Sequence, residues 1–188
     1  MDHTAKNLLI VIGMCTSLFF RGYTQTDSMN FSKESLEREV KSLIDSVRVS
    51  RRLPALFNDS VLYQAADHHV KYMKSKKILT HEEQGDKKKN SPFNRVIYYS
   101  TADTYGKVGE NVAYTSYNTS ARIKTKKIQM DNTKDIARYL VYLWVNSRGH
   151  FQNILDRSYQ ETGVAVAIDT EQQRIYICQV FARKAASD

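Results

Sequence analysis

Three short polar segments interrupt otherwise simple patterns: Thr80-His81, Gly109-Glu110-Asn111 and Asn146-Ser147-Arg148-Gly149-His150. They carry imidazole, carboxylate, amide and hydroxyl groups, the types from which metal sites, proton-transfer sites and nucleophiles are made. Their spacing alone does not gather them into one site. Ser147 and His150 are close enough in sequence to suggest a nucleophile pair. However, Ser147 falls at the end of an apolar helical pattern, and no third residue is evident to orient the pair. Cys178 is the other candidate nucleophile. It lies in RIYICQVF, an apolar strand pattern, which reads as a buried thiol acting as a small hydrophobe.

The elements that must carry these segments are legible from periodicity. Leu36, Val40, Leu43, Ile44 and Val47 recur at helical spacing behind Asn30 or Ser32 as cap, and Arg51, Arg52 and Pro54 end that helix. A second helix starts at Asn58 or Asp59 with Leu62, Ala65, Ala66, His69, Val70 and Met73 inward. This places His69 in the core and leaves His68 solvated. Residues 74–90 are polar and read as a loop. Ser91-Pro92 opens a short helix with Phe93, Val96 and Ile97. Arg95 reads as a structural ion-pair residue. Gly109 to Tyr114 reads as a turn feeding a short strand or an irregular buried segment. Residues 115–131 carry Arg122, Lys124, Lys126 and Lys127 and read as a basic surface insertion. A helix from Thr133 to Ser147 turns Ile136, Leu140, Leu143 and Trp144 inward, and Gly149 is expected to break it. Thr162–Asp169 and Arg174–Ala182 form a terminal hairpin. Helices first and a hairpin last predict an α+β fold with an antiparallel sheet.

The chain has 188 residues, 41% hydrophobic and 26% charged, with 7 Gly, 2 Pro and 2 Cys. That excludes collagen, low-complexity disorder, a disulfide scaffold and a multi-span membrane protein. One domain plus short extras fits the length. Leu8 to Phe20 is nearly all apolar, follows Lys6 and precedes RGYTQTDS, the pattern of a secretory signal peptide over residues 1–25. The apolar run is shorter than the ~20 residues needed to span a bilayer. An uncleaved anchor and a lipoprotein at Cys15 are the alternatives, the latter opposed by Met14 just before the cysteine. Cleavage between Gly22 and Thr26 would remove Lys6, Arg21 and Asp2 and take the net charge from +8 to +7. Cys178 would then stand alone, without an internal partner. The expected location is extracellular or periplasmic. A basic surface favours anionic partners without naming one.

The segments LPALFNDSVLYQAADHHVKYM, THEE, SPFNRV, GENVA, LWVNSRGHFQNIL, GVAVA and YICQVFA, in this order, resemble the CAP superfamily, or SCP-like extracellular domain, in its cysteine-poor bacterial branch. The resemblance covers residues 53–182 and implies a single domain over 26–188. It implies an α-β-α sandwich, with a small central antiparallel sheet flanked by helices. It further implies a cavity lined by His81, Glu110 and His150, with Asn111 and Ser147 beside them. In this reading His81, His150 and Glu110 hold a divalent cation, Zn or Mg, weakly. Many relatives carry a second Glu where this chain has Ser147, which reduces the cluster and argues against a tight site.

The open alternatives are equally concrete. The two histidines could be hydrogen-bonded lining with no metal. Glu110 could serve to order its loop, and Asn111 to satisfy buried backbone. Tyr98, Tyr99, Tyr105, Tyr114 and Tyr117 could form a ligand rim or simply pack. Three functions follow: a secreted binding module for a lipid or other small hydrophobic ligand, a metal-assisted hydrolase with Glu110 as its catalytic candidate, or a domain held at an anionic cell-envelope polymer. Specific nucleic-acid binding is not expected, and the chain is expected to be a monomer.

Overall fold

The computed structural model describes residues 29–100 and 105–185. The signal-peptide segment, its cleavage region and Cys15 lie outside the described residues.

Short polar residues set the helix starts. Ser32 opens α1 (Lys33–Ser50) with a reciprocal cap: its side chain accepts from the Ser35 N–H, and the Ser35 hydroxyl answers the Ser32 N–H. After β1 (Phe57–Asn58), Asp59 caps α2 (Ser60–Lys76) by accepting from the Val61 and Leu62 amides. Ser91 caps α3 (Pro92–Tyr99), which begins with proline. The long strand β2 (Tyr105–Ser116) leads into a hairpin of β3 (Ser120–Ile123) and β4 (Lys126–Gln129). Then come α4 (Thr133–Val145), α5 (Arg148–Leu155), β5 (Glu161–Asp169) and β6 (Arg174–Lys184).

The main sheet runs β1-β5-β6-β2, antiparallel except for the two-residue parallel pair of β1 with β5. Alternation along β6 sends Ile175, Ile177 and Phe181 to one face and Tyr176, Cys178 and Val180 to the other. The first face packs against α1, α4 and α5, with Trp144 fully buried. The second packs against α2, through Leu62, Ala65, Ala66, Val70 and Met73, and against α3 through Val96. This is the three-layer α-β-α arrangement. The layers approach closely at Gly163, where an added Cβ would lie 2.1 Å from the Tyr63 backbone nitrogen, so only glycine lets α2 sit directly on β5.

Two readings of the sequence need correction. Residues 109–114 are not a turn but the middle of a twelve-residue strand. Gly109 is there for space: an added Cβ would lie 2.3 Å from the Tyr159 hydroxyl. Gly149 does not end a helix. α4 stops at Val145, Ser147 opens α5, and Gly149 lies within its first turn. Residues 115–131 complete β2 and form the β3–β4 hairpin, with Ile128 and Met130 buried and the four cations exposed.

A buried arginine ties the ends of the first layer together. Arg48 is fully buried and donates to the carbonyls of Pro54, Ile154, Asp156 and Tyr159.

Candidate functional site

The site lies at the free edge of β2, where the two helical layers meet. The Glu110 side chain points toward the α2–α3 layer and is almost wholly buried. A buried carboxylate needs partners, and Glu110 has four. Arg95 Nη2 donates to Oε2 at 2.7 Å. His81 Nδ1 donates to Oε1 at 2.9 Å. The Cys178 thiol donates to Oε2 at 3.4 Å, and His69 Nε2 lies 3.7 Å from Oε1. Burial pushes the Glu110 pKa up, but the His81 hydrogen bond and the positive charges of Arg95 and His69 outweigh it and hold it below the ordinary glutamate value. The Cys178 thiol is pushed well up by burial and by the neighbouring Glu110 charge, so it remains a protonated donor.

Around this pair is a polar cluster drawn from four elements and a loop. His69 of α2 is fully buried, and both its ring nitrogens meet oxygen acceptors: Glu83 Oε1 at 2.7 Å and the Thr80 carbonyl at 2.7 Å. His68 bridges Glu83 and the Tyr99 hydroxyl. Arg95 of α3 also donates to the His81 and Lys89 carbonyls and lies 3.5 Å from Glu83. The loop between α2 and α3 is thereby tied to both helices, and it carries His81 to the rim. The His81 ring is about half exposed, at 48%. Hydrogen bonding to Glu110 raises the His81 pKa above its usual value against the effect of burial.

His150 approaches from the other layer, in the first turn of α5. Its position is set through backbone: Asn111 Nδ2 donates to the His150 carbonyl, and Asn153 Nδ2 donates to the Asn111 side chain and to the Glu110 carbonyl. Trp144 Nε1 donates to the Val112 carbonyl. Burial and the His81 charge lower the His150 pKa, which keeps the ring neutral near pH 7. His150 and Ser147 line a cavity of about 260 Å³ with Leu79, Val112, Tyr114 and Leu143. Ser147 makes no side-chain cap bond to α5.

Glu110 and His81 are thus in direct contact, whereas His150 lines the cavity without either of them. Among the described residues no three His, Cys, Asp or Glu side chains are set to hold a metal ion. The reason lies in Glu110: both oxygens are engaged, one of them by a guanidinium. His81 Nδ1 donates to Glu110, the way a carboxylate orients a ligating histidine; Nε2 offers a lone pair only when the ring is neutral, and the raised pKa favours the charged form.

Asn111 satisfies buried backbone as expected, and Arg95 is the expected ion-pair residue. His68 is not simply solvated; it is bonded on both ring nitrogens. Glu83 and Asn153 were not singled out in the sequence. The adjacent His68 and His69, one of them on the inner stripe of α2, were the available signal that a buried acid had to be nearby.

The Cysteine-rich secretory protein family profile, CAP, matches residues 41–181. The chain belongs to the CAP family. The CAP fold is shared with an outer surface protein of Borrelia burgdorferi at TM-score 0.63 and 17% identity, covering 82% of this chain and 96% of that one. A Bacillus anthracis extracellular protein containing an SCP domain matches at TM-score 0.60 and 21% identity, covering 87% of this chain and 45% of that one. A Staphylococcus aureus cysteine-rich secretory protein matches at TM-score 0.56 and 18% identity, with 81% and 40% covered. This CAP chain therefore spans under half the length of the latter two. No curated protein sequence matches it significantly.

Proposed function

We propose that this CAP domain is an exported, non-catalytic binding module whose cavity at the β2 edge takes a small ligand. One observation carries the reading: the Glu110 carboxylate is consumed by Arg95, His81 and Cys178. A hydrolase would need that group free, either to take a proton from water or to return one to a leaving group. Glu110 and His81 do not line the cavity; its walls are mainly apolar (Leu79, Val112, Leu143, Trp144), with His150 and Ser147 as the polar points. At about 260 Å³ the cavity is smaller than a typical drug-sized site and suits a small hydrophobic ligand or one end of a longer lipid.

His81 and His150 are the residues that would hold a divalent cation, and the ion would supply a Lewis-acidic point for a polar ligand group. Glu110 orients His81, and Asn111 and Asn153 fix the backbone of His150. Two imidazoles, of which His81 must lose a proton to bind, give roughly micromolar rather than structural-site affinity, and folding does not depend on the ion.

The test combines two measurements on the protein lacking residues 1–25. Organic extraction followed by mass spectrometry should recover a bound small molecule. Calorimetric zinc titration should show saturable binding that is lost in His81→Ala, His150→Ala, while the melting temperature stays within a few degrees. Unaltered zinc binding in that double variant overturns the shared two-histidine site. The metal-assisted hydrolase reading has no observation in its favour; a hydrolase with Ser147 as nucleophile is favoured only by its hydroxyl, which makes no cap bond and lines the cavity with His150. Ester or amide turnover that Ser147→Ala abolishes would replace the binding-module reading.

A further inference from the structure

The β3–β4 hairpin is built against its own local preferences. Its register places Arg122 directly opposite Lys127, and like charges in that position destabilise a strand pair. The turn holds Lys124 at a positive φ of 52°, a conformation that favours Gly or Asn. Between residues 115 and 130 there are four cations and no acidic residue. All four are exposed. Among the described residues none of the four has an ion pair; Arg122 has only a long hydrogen bond, 3.5 Å, to the Thr125 carbonyl. Elsewhere lysines are matched, the exposed Lys107 with Asp156 and Lys184 with Glu161, and the half-buried Lys33 with Asp67 and Lys41 with Asp45.

The hairpin is nevertheless held firmly in place. Ile128 and Met130 are buried in the first layer, with Ala121 and Ile123 partly buried against it. Because paired residues share a face, anchoring Ala121 and Ile128 inward turns Ser120, Arg122, Lys127 and Gln129 outward. The result is a rigid ledge with adjacent cations flanked by hydrogen-bonding side chains. The tip carries Lys124, Thr125 and Lys126 and no apolar group that could enter a bilayer.

We propose that this hairpin is a docking site for a linear anionic polymer bearing regularly spaced phosphate or carboxylate groups. Neighbouring strand positions bring Arg122 and Lys127 to about 5 Å apart at Cα, close enough for one anionic group to be held by both. Lys124, at the turn beyond them, meets the next group of the same polymer; Lys126 pairs with Ile123 and lies on the opposite face of the hairpin. Bound anions remove the cross-strand repulsion, which explains why the pair persists. The site is separate from the β2-edge cavity, so its outcome is independent of the ligand proposed there.

The test uses poly(glycerol phosphate) as probe, in low salt (about 50 mM), against the folded domain. The wild type should bind, and the logarithm of its association constant should fall with the logarithm of salt concentration at a slope near −2, about 0.7 for each of three cations. Arg122→Gln, Lys127→Gln should weaken binding about tenfold or more without lowering the melting temperature. The triple variant R122Q/K124Q/K127Q should abolish it. A charge-matched control, K77Q/K87Q/K88Q, removes three cations elsewhere and should leave binding nearly unchanged. Equal loss in the control would mean diffuse net charge rather than a site, and would overturn the proposal. So would retention by anionic phosphatidylglycerol vesicles with no binding to the polymer.

Discussion

The Arg95 guanidinium lies 2.7 Å from the Glu110 carboxylate, and neither side chain has more than 1% exposure. Such a pair contributes little net stability as a pair, because both charges lose their water, but losing one partner strands the other. Glu110→Gln should therefore cost about 3–5 kcal/mol in urea unfolding. Arg95→Met should cost a comparable amount. The double variant Arg95→Met, Glu110→Leu should recover most of the loss. Additive losses in the double variant would show that each residue is held by something other than the other.

Arg48 should be as sensitive, for a different reason. Its guanidinium answers carbonyls at both ends of a long sequence separation, and its bonds to the Ile154 and Tyr159 carbonyls are buried, so those oxygens lose their partner when it is removed. Arg48→Ala should destabilise by about 3 kcal/mol or more, combining lost packing with unsatisfied carbonyls. Arg48→Lys should recover only part of this, since one ammonium cannot reach all four acceptors. Equal stability of the Lys variant and the wild type would refute the fork role.

Gly109 offers a steric test. Gly109→Ala pushes a methyl against the Tyr159 hydroxyl, and Tyr159 is buried and stacked on Phe181. The expected cost is about 1–3 kcal/mol, the usual range for overpacking. Tyr159→Phe in the same chain removes the closest atom and should return part of it. If Tyr159→Phe leaves the Ala variant no better, the cost comes from the backbone rather than this contact.

Stability should fall on the acid side. Burial pushes the Asp67 pKa up, but hydrogen bonds from Lys33 and Lys71 outweigh it and leave it depressed. Asp156 is likewise depressed by Lys107 and Ser158 against burial. A depressed carboxylate stabilises the fold above its unfolded pKa of about 3.9, and the contribution is lost as pH falls through the folded value. The melting temperature should therefore drop as pH is lowered from about 5 toward 2. Asp67→Asn should flatten that drop. An unchanged pH profile in the variant would remove Asp67 from the account.

The parts of the fold that depend on local rules were readable from the sequence. Ser32, Asp59 and Ser91 are short polar residues ahead of periodic apolar runs, and each caps a helix in the structure. The inner stripe of α2 and the two faces of β6 follow from periods of 3.6 and 2. What failed was glycine. Gly109 and Gly149 carry the same letter as a turn or a stop, yet both sit inside regular elements. Glu83 and Arg48 were invisible because their partners come from segments that only tertiary packing brings near. The site was partly legible: His81 and Glu110 do meet, but the spacing of residues could not show that Arg95 would occupy the carboxylate.

Trp144 and Asn153 belong to the LWVNSRGHFQNIL stretch, and the polar group of each is turned to backbone rather than to the cavity. Their side-chain N–H groups occupy the Val112 and Glu110 carbonyls, the backbone oxygens that point away from β6. An outer strand with open carbonyls is a template on which a foreign strand can assemble. Here two of those positions are taken by the chain's own indole and amide, so the sheet is closed to growth on the side where the cavity opens. A protein destined for crowded surroundings can then keep a long strand beside an accessible pocket without that strand seeding fibrils.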